Sequence, residues 1–101
     1  MQAPRKNEVA HQVAAIEDAL RRRGVRSLSI FGSVVRDAAR ADSDIDVLID
    51  VEPGVKFSLI DLAEIKDLLE DHLNRKVDVV TQAGLAPDVR ERVLQEAASV
   101  F

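Results

Sequence analysis

The sequence contains no cysteine, tryptophan or tyrosine. Without cysteine there is no disulfide and no thiolate metal site. Aromatics amount to 3% of 101 residues, so the core must be built from Val, Ile, Leu and Ala. There is no basic excess. Lys and Arg number 14 against 18 Asp and Glu, a formal charge of -4, which argues against a DNA-binding surface. No apolar run is long enough to span a bilayer, and the stretch Met1 to Glu8 lacks the apolar core of a signal peptide. The expected compartment is the cytoplasm, with no membrane partner. Hydrophobic residues make up 47% and charged residues 32%, enough for a core and a well-solvated surface. The length fits a single domain over residues 1–101, with residues 1–6 as a polar, flexible tail.

Periodicity orders the elements. Val9, Val13, Ile16 and Leu20 form one helical stripe, with Asn7 as N-cap and Gly24 as the stop. Arg21, Arg22 and Arg23 suit the C-terminal end of that helix dipole. Val25 to Phe31 reads as a strand running into Gly32-Ser33, and a short helix is expected from Ser33 to about Ala39. Ile45, Val47, Ile49 and Val51 alternate to one face of a second strand. Glu52-Pro53-Gly54 ends it, and Ser58 with Asp61 signals a capping box. The following helix buries Leu62, Ile65, Leu69 and Leu73, with Leu59 and Leu68 at its flanks and Asn74 at its end. Val77 to Thr81 is a third strand. Pro87 opens a last helix with a stripe of Val89, Val93, Ala97 and Val100. This order predicts an α/β (α+β) fold, a small mixed β-sheet covered by helices on one face.

The opposite face of the second strand breaks the local rule. Asp44, Asp46, Leu48 and Asp50 alternate there with no compensating cation. Same-face positions lie about 6.6 Å apart, from a rise of about 3.3 Å per residue. Carboxylates so close repel unless a cation sits between them, and Asp disfavours strands. Asp78 repeats the anomaly inside Val77-Asp78-Val79-Val80. Three such carboxylates can hold one or two hard ions, Mg²⁺ or Mn²⁺, and two ions clamp the attacking and leaving oxygens of a phosphoryl transfer. The competing reading of this face is a solvated, aggregation-resistant edge. Asp50, at the strand end, is assigned to solvent or a turn. Gly32-Ser33 adds a phosphate cradle: glycine admits a close anion, the Ser33 hydroxyl can bond a phosphate oxygen, and Arg36 supplies a cation. Taken alone, Gly-Ser is a common turn, and Ser33 reads more readily as an N-cap than as a phosphate ligand. His11 and His72 are assigned to surfaces, and Val100 and Phe101 to the core or to a partner.

The run IFGSVVRDAARADSDIDVLID resembles the nucleotidyltransferase superfamily of the DNA polymerase β type, and within it the minimal nucleotidyltransferases. The signature is Gly32, Ser33, Arg36, Ser43, Asp44 and Asp46, and the tail from Lys76 to Val100 is similar to the family's closing strand and helix. The resemblance implies that Asp44, Asp46 and Asp78 are the catalytic and metal-binding carboxylates. It assigns nucleotide binding to Gly32, Ser33, Arg36 and Ser43. It further implies two Mg²⁺ ions, ATP as the nucleotide substrate, and transfer of an adenylyl group to a hydroxyl of a partner protein. That partner is expected to be a HEPN-domain toxin, which makes the chain its antitoxin. The alternatives are a module of the same fold that masks the toxin by binding, and an enzyme acting on a small molecule such as an antibiotic. Asp37 departs from the family, which usually has Gly after the Arg. Either an acidic side chain there weakens nucleotide binding or it only changes the helix end. Val34 and Val35 also replace a common aromatic and Ala.

Overall fold

A computed structural model describes residues 2–101. Four strands form one mixed sheet in the order β3-β2-β1-β4. β1 is Val25–Phe31, β2 Ile45–Val51, β3 Val77–Thr81 and β4 Ala98–Ser99. β1 runs antiparallel to β2 and β4, and β3 lies parallel to β2. A parallel pair needs a long crossover. Helix α3, Leu59–Leu73, supplies it between β2 and β3.

The first three strands match their expected bounds: β2 alternates through Ile45, Val47 and Ile49, and β1 keeps Leu28 and Ile30 on the same core face beyond a register shift near Val25. Leu28, Ile30, Ile45, Val47 and Ile49 are fully buried on one face. Val9 and Val13 of α1 (Lys6–Ala14), Leu20 of α2 (Glu17–Arg22), and Ile65, Leu69 and Leu73 of α3 pack over them in one cluster. Burying a side chain of this type stabilises the fold by about 1.5–3 kcal/mol.

Several expectations need correction. The first helix is two helices, broken at Ala15 and Ile16. α1 packs on α3 while α2 packs on β1, so the two apolar patches need different axes. The N-cap is Arg5, through its backbone, not Asn7. Residues 2–5 are more than a loose tail: Pro4 is buried, and Arg75 donates to the Gln2 carbonyl. The helix expected after Ser33 is a single 3-10 turn, Gly32–Val34, followed by turns. α3 begins at the expected capping box and ends at Asn74 in the left-handed conformation. Leu62 is only half-buried, and Leu59 is 83% exposed, turned off the core. The last helix, α4 (Pro87–Glu96), stops before Ala97. The chain then adds β4, unexpected from the pattern, beside Ser29 and Ile30. Val100 and Phe101 continue this edge through hydrogen bonds with Leu28 and pack against the core.

α4 also departs from one-sided cover. None of its side chains is fully buried. Val89 and Val93 instead line a cleft with Phe31, Gly32, Arg36 and Asp46, on the carboxylate side of the sheet. No helix among the described residues is long and apolar enough to cross a membrane.

Candidate functional site

The site forms where β1 ends and β2 and β3 begin. Asp46 stands opposite Phe31 of β1 and opposite Asp78 of β3. Paired positions share a face, and neighbouring strands lie about 4.8 Å apart. The two carboxylates are therefore neighbours on the surface away from the main core. Asp44 sits two residues earlier, exposed, at the mouth of β2. Asp78 is likewise exposed, on the edge strand. Asp46 is more enclosed. Burial raises its pKa above the usual carboxylate value, and the negative charges of Asp78 and then Asp44 push it further. Arg36 opposes this shift and Glu96 adds to it. The result is a carboxyl group short of positive charge.

This donor set fits a hard divalent cation. It offers only carboxylate oxygens, the cation that acts on Asp46, Arg36, is bonded to Glu96, and its two outer members are exposed enough to turn inward. As the side chains stand, no three acidic or histidine groups among the described residues already surround one point. Asp50 lies beside Ser27 toward the far end of β2, away from this mouth.

Gly32 connects the carboxylates to the cradle. Its φ is +79°, a left-handed conformation that suits glycine. A Cβ built there would lie 2.2 Å from Asp46 Oδ2, 3.1 Å from its Cγ and 3.3 Å from its Cβ. Only glycine lets the β1 turn press on the Asp46 carboxylate. Gly32 N–H donates to a Glu96 carboxylate oxygen at 2.8 Å. Arg36 Nη1 donates to both Glu96 oxygens at 3.0 Å. Ser33 is half-buried beside this turn. Ser43 is spent differently: its hydroxyl accepts the Arg40 N–H at 2.8 Å, shaping the loop that delivers Asp44.

The structure therefore brings Gly32, Arg36, Asp46 and Asp78 to one place, with Asp44 at its rim. Asp37 is not among them. It has φ +57° and lines a separate recess with Arg5, Lys6, Asn7, Val34 and Val35. His11 and His72 are exposed on α1 and α3, outside the site. Glu96 and Arg92 were missed. Both line the cleft with Phe31, Val89 and Val93. The one sequence signal for Glu96 is an acidic residue in the last turn of a helix, where the dipole disfavours it.

Residues 13–100 match the family described as nucleotidyltransferase domain. The protein adenylyltransferase MntA of Thermococcus cleftensis is 37% identical over 94 residues, covering 92% of this chain and 93% of that one. A solved structure described as a minimal nucleotidyltransferase superposes with a TM-score of 0.81 at 39% identity, covering 94% of this chain and 95% of the other. An MNT antitoxin solved in complex with a tri-AMPylated Shewanella oneidensis HEPN toxin gives a TM-score of 0.69 at 14% identity, covering 95% of this chain and 71% of that chain. At that identity the likeness concerns the fold.

Proposed function

The chain belongs to the nucleotidyltransferase domain family, and from that membership and the geometry of its site we propose that it transfers an adenylyl group from ATP to a hydroxyl of a partner protein. The observation that carries this reading is the Asp46–Asp78 pair set directly beneath the Gly32 turn. A cation held by this pair would sit beside an anion held by the Gly32 turn, as polyphosphate chemistry requires. Asp44, Asp46 and Asp78 would hold Mg²⁺, which supplies charge neutralisation on the reacting phosphate. Gly32 N–H and Arg36 bind the outer phosphates and orient the chain of phosphorus atoms along the cleft. Asp78, exposed on the edge strand, faces the side from which an acceptor can approach and is placed to take the proton of its hydroxyl. The acceptor oxygen attacks the α-phosphate, an adenylyl–oxygen bond forms, and pyrophosphate leaves. Positioning and electrostatics carry most of such a reaction.

The acceptor is proposed to be a toxin of the HEPN type, with this chain as its antitoxin. Two observations support that choice. One is the AMPylated toxin bound to the Shewanella antitoxin of the same fold. The other is that the cleft beside Asp46, about 330 Å³ and lined by Phe31, Gly32, Arg36, Val89, Arg92 and Val93, is open to the approach of a protein surface. The test is Mg²⁺-dependent transfer from α-labelled ATP into proteins of the host lysate. Wild type is compared with the Asp44→Asn/Asp46→Asn double variant. A labelled band seen only with wild type is expected. No labelled band, with the chain folded and its partner present, or toxin neutralisation that survives the double substitution unchanged, would replace catalysis with masking.

A further inference from the structure

Glu96 occupies the place the reading above gives to a phosphate. It is the last residue of α4, and the backbone turns to an extended conformation at Ala97 immediately after it. Its carboxylate accepts the Gly32 N–H at 2.8 Å and both contacts of Arg36 Nη1 at 3.0 Å. These are the donors that a phosphate oxygen would need. The ion pair sits at the cleft mouth: the side chains of Arg36 and Glu96 are 59% and 32% exposed. It is therefore free to open. Arg92, one turn earlier on the same face of α4, lines the same cleft, is exposed and forms no ion pair among the described residues.

We propose that Glu96 is an internal stand-in for the nucleotide's phosphate, which holds the Gly32–Arg36 cradle in its binding shape and must swing out before a polyphosphate can enter. The inference rests on the nucleotidyl-transfer reading. Gly32 N–H is a single donor already given to Glu96, so a phosphate oxygen can take it only when Glu96 leaves. The closed state holds Gly32 N–H and Arg36 satisfied and oriented, and it sets the affinity that a nucleotide must exceed. An occupied cradle reduces apparent affinity by the fraction of molecules that stand open. If about one molecule in ten is open, Glu96 weakens polyphosphate binding about tenfold.

Isothermal titration of inorganic tripolyphosphate and of Mg·ATP tests this on the full chain. Glu96→Gln keeps the shape and an acceptor for Gly32 N–H but loses the charge. Thermal melts confirm that the variant is folded, and Glu96→Ala serves if it is not. The expected result is that both ligands bind Glu96→Gln about tenfold more tightly than wild type, while Arg36→Gln binds both more weakly. In wild type the Gly32 amide resonance should move with tripolyphosphate. In Glu96→Gln it should start from a different position and reach the same end point. Equal or weaker binding by Glu96→Gln, with wild type binding Mg·ATP, overturns the stand-in and leaves the nucleotide reading intact. Failure of every variant and of wild type to bind Mg·ATP overturns both.

Discussion

Replacing Gly32 by alanine should damage stability and activity for two separable reasons. The backbone at φ +79° costs an L-residue about 1–2 kcal/mol. The new Cβ would lie 2.2 Å from Asp46 Oδ2. Asp46 cannot retreat with its backbone, because β2 is paired on both sides there, to Phe31 and to Asp78. Only its side chain can turn, at roughly 0.5–1.5 kcal/mol if it leaves a rotamer minimum. The alanine also restricts the unfolded chain, which returns about 0.4–1 kcal/mol. The net loss is about 1–2.5 kcal/mol, or roughly 5–15 °C in melting temperature for a domain of this size. The Asp46 carboxylate is displaced from the mouth of the site, and a misplacement of about 1 Å costs on the order of 10²-fold in rate. Melting curves and labelled transfer read these two losses. Asp46→Ala provides the internal control: it removes the Cγ and Oδ2 atoms, so the Gly32→Ala penalty should shrink by about 1 kcal/mol in that background. A melting temperature within about 2 °C of wild type would refute the strain and clash together. A penalty identical in both backgrounds would leave only backbone strain and disprove the contact with Asp46.

Two further predictions concern single side chains. Asp46 has a raised pKa, so the fold prefers it protonated and carries a penalty when it ionises above that pKa. In chelator at pH 7, Asp46→Asn should therefore melt higher than wild type. Solvent screening keeps the rise small, about 1–4 °C. The difference should vanish as the pH falls through the carboxylate range and reverse in excess Mg²⁺, where only wild type gains from binding; a variant that melts lower in chelator would contradict this. Asp37→Gly should leave nucleotide affinity within about twofold and keep or slightly raise stability, because Asp37 lies in a left-handed turn outside the cleft. A tenfold gain in affinity, measured by titration, would put the Asp37 charge back into the cradle.

The fold was legible where one period ruled without competition. β2 alternates through Ile45, Val47 and Ile49, and the Ser58/Asp61 box and Asn74 bracket α3 as their chemistry dictates. The failures share a cause: tertiary partners overrode a local pattern. One apolar stripe split into α1 and α2 because its halves pack on different elements. The stripe through Ala97 and Val100 suited a helix, but β1 had a free edge, and Ala98 to Phe101 paired along it. Leu59, set at the flank of the α3 stripe, and Ile60 beside it in the first turn stand 83% and 71% exposed.

The site was legible to the extent that its residues broke rules. Aspartates in strands and a glycine before a turn are costly without a purpose, and Asp44, Asp46, Asp78 and Gly32 stand together at one mouth. Asp37 and Glu96 show where such reasoning ends. Asp37 occupied a signature position, and its charge suggested interference, but that position demands a conformation that glycine or aspartate can adopt. The charge that does reach the cradle comes from Glu96, 64 residues beyond Gly32 in sequence. Motif spacing cannot register a residue brought in by a helix packed on the opposite side of the sheet from the main core. Its only local mark is a misplaced charge at a helix C-terminus, unfavourable to α4 and compensated by Gly32 N–H and Arg36. A helix end made unfavourable by its own dipole releases its last side chain more readily than a well-capped one. That is the property an internal competitor for phosphate requires.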